Sequence, residues 1–187
     1  KHTIKNYEDK SDVEKWEHMA VQMPGDIGGP RKKEIKKILT QRARGKVLET
    51  MCGFNSYFDD SPNISEVIVL DYCRAMLERY VYPQRTRILY NLERVANGEK
   101  MDLFSDDEFQ TIGCWGSNYL TNPKRVFSEF GRILSTSGKL LVLESTTEGY
   151  SDLIKRYFKP EDCAKFMQEA GFSPSIVILF GEKAQEA

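Results

Sequence analysis

Hydrophobic and polar positions along the chain follow two rhythms. Val13, Trp16 and Ala20 recur at spacings of three and four, and so do Ile35, Ile38 and Leu39. That periodicity predicts one helix near the N-terminus and another over Arg31–Leu39. Between them, Met23–Pro30 holds two prolines and three glycines, a run of turn formers. From Gly45 the rhythm shortens. Gly45–Thr50, Val67–Asp71, Arg87–Asn91, Phe109–Trp115, Lys139–Glu144 and Ser175–Phe180 read as six strands. Val67-Ile68-Val69-Leu70 is apolar without alternation, the pattern of a parallel strand buried on both faces. Helices fit between the strands. One begins at Ala75-Met76-Leu77. Another, over Pro123–Leu134, carries Val126, Phe127, Phe130 and Ile133. A third, over Pro160–Ala170, carries Cys163, Phe166 and Met167 and stops at Gly171. Strands alternating with helices predict an α/β fold: a doubly wound, mostly parallel sheet of six or seven strands with helices on both faces.

Length adds that the whole chain, 187 residues, is one domain. Residues 45–180 are its core and 1–30 an N-terminal lid segment. At 40% hydrophobic and 11% aromatic the composition is globular. Lys and Arg number 27 against 28 Asp and Glu, so there is no general basic footprint for nucleic acid. Arg31, Lys32, Lys33, Lys36 and Lys37 form a local basic stretch that reads as a solvated helix face. The four cysteines, Cys52, Cys73, Cys114 and Cys163, form no C-x-x-C pair and read as free thiols in a reducing, cytoplasmic compartment. With only His2 and His18 to assist them, a metal site is not expected. Apolar runs are too short for a membrane span.

In a doubly wound sheet, ligands bind outside the carboxyl ends of the strands, so the residues after each strand carry the interest. The first strand is followed by Met51-Cys52-Gly53-Phe54-Asn55. Gly53 lets a backbone approach a ligand, and Asn55 tolerates a left-handed turn. One glycine is fewer than the three of a dinucleotide fingerprint, which argues against a nicotinamide-dependent oxidoreductase. The second strand ends in Asp71, 22 residues beyond Glu49. Such a carboxylate either accepts hydrogen bonds from ribose hydroxyls or caps the helix that follows.

Together these segments resemble class I S-adenosylmethionine-dependent methyltransferases, in particular the group acting on small molecules. The resemblance runs from about Gly45 to Phe180. Val47–Asn55 is similar to the family's first motif, and Val69–Leu77 to its second strand with a terminal acid. Phe104–Ile112, Asn122–Leu134 with Ser137–Leu140, Phe158–Asp162 and Ala170–Phe172 resemble later segments in the family's order. The resemblance implies a Rossmann-like fold and S-adenosylmethionine as cofactor. It implies that Glu49 holds the amino group of the methionine part, directly or through water, while Cys52 and Gly53 approach with their backbone. Asp71 would take the ribose, Tyr72 or Cys73 would pack on the adenine, Asn91 and Leu92 would lie near it, and Cys114 and Trp115 would line the wall by the sulfonium. Met51 and Asn55 replace two glycines of the first motif, and Gln110 replaces a common acid. The stretch Glu93–Leu103 is a longer passage than the family's usual one.

Methyl transfer needs an acceptor, a methyl and a sulfur held in line with water excluded, and a base only where the acceptor must lose a proton early. Candidates for that base are His18, Tyr7 and Tyr119. His18, Tyr7 and Trp16 would belong to the lid, whereas Asn118 and Tyr119 follow the fourth strand, where an acceptor could dock. An exposed histidine without a role and ordinary helix packing are the competing readings. The chain's length leaves no large substrate domain, which favours a small-molecule acceptor. Two alternatives stay open: a non-methylating reaction of the same cofactor, such as cyclisation releasing methylthioadenosine, and a non-catalytic binding module.

Overall fold

The computed structural model describes residues 30–144 and 160–174. Five strands form one sheet: β1 (Gly45–Thr50), β2 (Ile64–Asp71), β3 (Thr86–Leu89), β4 (Phe109–Trp115) and β5 (Leu134–Leu143). Their order is β3-β2-β1-β4-β5, and every neighbouring pair is parallel. The helices are α1 (Pro30–Arg42), α2 (Arg74–Glu78), α3 (Glu93–Ala96), α4 (Pro123–Ile133) and α5 (Pro160–Glu169). The parallel, doubly wound α/β expectation therefore holds with five strands among the described residues. The expected sixth strand, Ser175–Phe180, and residues 1–29 of the lid segment fall outside the described residues.

Alternation along each strand sorts side chains onto two faces. Leu48, Ile68, Leu70, Ile112 and Cys114 turn to one face and pack against Val126, Phe127, Phe130 and Ile133 of α4, with Val95 and Ala96 of α3. Cys163, Phe166 and Met167 of α5 close the same layer. Val47, Val67 and Val69 turn to the other face and meet Leu39 of α1 with Leu77, Tyr80 and Phe58. Both faces are thus covered, as parallel sheets require.

Element bounds follow local chemistry. Asn122 caps α4 by accepting from Arg125 N, and Pro123 fills the first turn, where its missing N–H is not needed. β1 and β4 match the expected limits. β2 begins three residues earlier than the apolar run, because Ile64–Glu66 still pair with β1. β5 starts directly from α4 at Leu134, which pairs with Phe109 before the ladder resumes at Lys139. The stretch expected as a long passage contains the short helix α3. Winding reverses between β1 and β4, where Thr50 pairs with Cys114. That reversal places the loops after β1 and β4 side by side at the carboxyl edge.

Candidate functional site

The loop after β1 is held by two carboxylates of different character. Glu49 is fully buried. Its Oε1 accepts from Tyr57 N at 2.6 Å and Trp115 Nε1 at 2.8 Å, and its Oε2 from Ser56 Oγ and Tyr80 OH, each at 2.8 Å. Four donors fill the roughly four lone-pair sites of a carboxylate. Burial pushes its pKa up, against the pull of those four hydrogen bonds. Arg85, also buried, extends the network by donating to Ser56 Oγ at 2.8 Å, to Phe58 O at 3.1 Å and to Asp60 at 2.8 Å.

Asp71 differs. Its Oδ2 accepts from Gly53 N at 2.8 Å and its Oδ1 from Cys73 N at 2.9 Å, and the Tyr72 N–H also favours its charged form. Burial raises its pKa. Three backbone donors leave acceptor capacity on this carboxylate. Asp71 joins the loop after β1 to the turn after β2, while Cys73, with no side-chain capping bond, occupies the cap position of α2. Gly53 has φ 57°, the left-handed conformation for which glycine is suited. Met51, two residues earlier, also lies at positive φ, 56°, and its side chain packs on the core layer under α4. Asn55 is not among the positive-φ residues, so its tolerance of a left-handed turn is not used.

The other candidates spread over the same edge. Cys52 is buried, and burial raises its thiol pKa, with Asp71 and Glu49 adding to the shift. Cys73 packs with Phe54 and Met76, and Tyr72 beside it is half-buried. Asn91 Oδ1 accepts from Glu93 N at 2.9 Å at the start of α3, and Leu92 lies in the core. Cys114 is buried on the α4 face. Trp115 is turned the other way, its indole over Gly113 and its ring 5.1 Å from that of Tyr57. Tyr119 stands in the short 3-10 turn Ser117–Tyr119. His18 and Tyr7 lie outside the described residues. Glu49, Trp115, Cys52, Gly53, Asp71, Tyr72 and Cys73 are thereby gathered around the loops after β1 and β2, and Asn91 and Leu92 follow β3 beside them.

Sequence reasoning missed Ser56, Tyr80, Arg85 and Glu144. Glu144 follows β5 and accepts from Ser117 N at 2.6 Å, from Ser117 Oγ, and from Asn118 N at 3.3 Å. Burial pushes its pKa up to about 6. Its position at a strand's carboxyl end was the available signal. Tyr80 and Arg85 lie outside strand ends and carried none.

No protein-family model matches the chain, and no match is found among curated protein sequences. Solved structures do match. An S-adenosylmethionine-dependent methyltransferase from Leishmania major superposes with a TM-score of 0.61 at 14% identity, over 87% of this chain and 74% of that one. One from Aquifex aeolicus gives 0.54 at 12% identity, over 88% and 89%. A Haloferax volcanii protein solved with the Trm112 methyltransferase activator gives 0.61 at 13%, over 89% and 77%. The chain therefore has the class I S-adenosylmethionine-dependent methyltransferase fold.

Proposed function

We propose that the chain is an S-adenosylmethionine-dependent methyltransferase acting on a small molecule in the cytoplasm. Asp71 carries the reading. It stands at the carboxyl end of β2, one strand from the point where winding reverses, and retains capacity for a ribose hydroxyl. The donor set fits the cofactor: an acid for the sugar, and a left-handed Gly53 that brings backbone close. When bound, S-adenosylmethionine supplies an electrophilic methyl on a sulfonium. Glu49, saturated by four protein donors, acts by holding the loop Ser56–Phe58 in place rather than by binding the amino group itself. Tyr72 flanks the sugar and adenine region, and the turn Ser117–Tyr119 flanks the acceptor. Four free cysteines accord with a reducing compartment. Among the described residues no helix is long and apolar enough to cross a membrane.

Calorimetric titration with S-adenosylmethionine tests the reading. The wild type binds, and Asp71→Ala loses about 1–3 kcal/mol of affinity with its melting transition still cooperative. Mass spectrometry of the mixture returns intact cofactor until an acceptor is added. Release of methylthioadenosine without an acceptor would favour cyclisation instead. Absence of binding by the folded wild type would overturn the assignment.

A further inference from the structure

At the carboxyl edge, one strand beyond β4, Glu144 accepts from the Asn118 backbone N–H, and each of the two side chains keeps hydrogen-bonding capacity that no described residue fills. Glu144 follows Leu143, whose carbonyl accepts from Gly116 N at 3.0 Å, so the end of β5 is tied to the turn after β4. Ser117 occupies Glu144 Oε1 through both its N–H and its hydroxyl. Oε2 receives the Asn118 N–H alone, at 3.3 Å, which leaves a lone pair to spare. No Lys or Arg forms an ion pair with Glu144 among the described residues. Asn118 is 1% exposed, yet among the described residues neither its Nδ2 nor its Oδ1 has a hydrogen-bond partner. An amide left so costs about 1–3 kcal/mol per group, and native structures rarely leave such groups without a protein, water or ligand partner.

We propose that Glu144 Oε2 and the Asn118 side-chain amide form the acceptor subsite, and that they select a small molecule carrying an ammonium or amine group. A mostly buried carboxylate with no cation beside it among the described residues is stabilised by an incoming positive charge. Asn118 Oδ1 accepts a second hydrogen of the same nitrogen. An anionic ligand would meet Glu144 as a like charge, and a ligand without an N–H would leave Oδ1 unpaired. Burial keeps the Glu144 pKa at about 6, so the carboxylate is charged at neutral pH. The assignment rests on the methyltransferase reading for what the bound amine is there to do, but its binding chemistry is tested separately.

Three probes of one shape and different head groups test it: benzylamine, phenol and benzoate, titrated against the cofactor-loaded protein and followed by NMR shifts of the Ser117 and Asn118 amides. Benzylamine binds tightest, by about tenfold or more, and shifts both amides. Glu144→Gln, which keeps an oxygen for Ser117, weakens benzylamine about tenfold and leaves phenol unchanged. Asn118→Ala, which removes no side-chain hydrogen bond to a described residue, weakens benzylamine several-fold and guards against a folding defect in the first variant. Benzoate binding as tightly as benzylamine, no probe shifting the two amides, or benzylamine binding unaltered in both variants would each overturn the subsite. Loss of S-adenosylmethionine binding would strike the methyltransferase reading, and benzylamine titrated against cofactor-free protein would still report on the subsite.

Discussion

Glu49 and Asp71 are both acids at strand ends, yet their donors give them different work. Glu49 has no acceptor capacity left, so its removal is felt as lost structure. In Glu49→Gln an amide NH2 replaces an oxygen that accepts two hydrogen bonds, leaving donors among Ser56, Tyr57, Tyr80 and Trp115 without a partner. The expected cost is about 3 kcal/mol, and Tyr80→Phe, which deletes one donor to Glu49 and a long acceptor contact from Arg85, costs about 1 kcal/mol. Urea unfolding measures both, and tryptophan emission in a Trp16→Phe background reports whether the Trp115 indole leaves its site. A Glu49→Gln protein of wild-type stability would show that the network contributes little. The pair Glu49 and Asp71 was legible in the sequence because each ends an apolar run. What Glu49 binds was not, since Tyr80 and Trp115 reach it from 31 and 66 residues away.

At the scale of elements, β4 carries a constraint that its hydrophobic pattern hides. Trp115 folds back over Gly113, so that a Cβ on Gly113 would stand 2.4 Å from the indole and 2.8 Å from the Phe58 ring. Gly113→Ala therefore displaces Trp115 and strains its bond to Glu49. Overpacking of this kind costs about 1–3 kcal/mol. A lowered melting temperature and, in the same Trp16→Phe background, red-shifted Trp115 emission are the expected outcome, and an unshifted emission maximum would contradict it. The strands β1 and β4 and the helix α4 were legible because burial on both sheet faces and a wide apolar helical stripe leave strong periodic signals. α3 was not, because four residues give no period, and its Val95 and Ala96 are buried by tertiary packing rather than marked by amphipathicity. The early start of β2 was likewise invisible: Ser65 and Glu66 are exposed and are strand only because β1 lies beside them.

For the whole molecule, the acids at the carboxyl edge set a common direction for stability against pH. Burial raises the pKa of Glu49, of Asp71 and, to about 6, of Glu144. A carboxyl whose pKa is higher folded than unfolded binds its proton more tightly in the native state. Stability then falls as pH rises through the window between the two values, which for Glu144 runs from about 4.5 to about 6. Its share is at most about 2 kcal/mol. The opposite sign belongs to Glu108, Asp106 and Glu169, held below the ordinary range, with Lys46, Arg132 and Lys124 respectively favouring their charged forms. Their stabilisation is lost as pH falls below about 4.5, and exposed pairs of this type contribute little. The molecule is therefore expected to melt higher near pH 5 than near pH 8 (both approximate). The local test is Glu144→Gln, which has no proton to take up and should flatten the profile between about pH 4.5 and 6. Thermal melts across that range in matched ionic strength measure both. A wild-type midpoint that rises steadily toward alkaline pH would mean that the hydrogen bonds to these acids outweigh their burial.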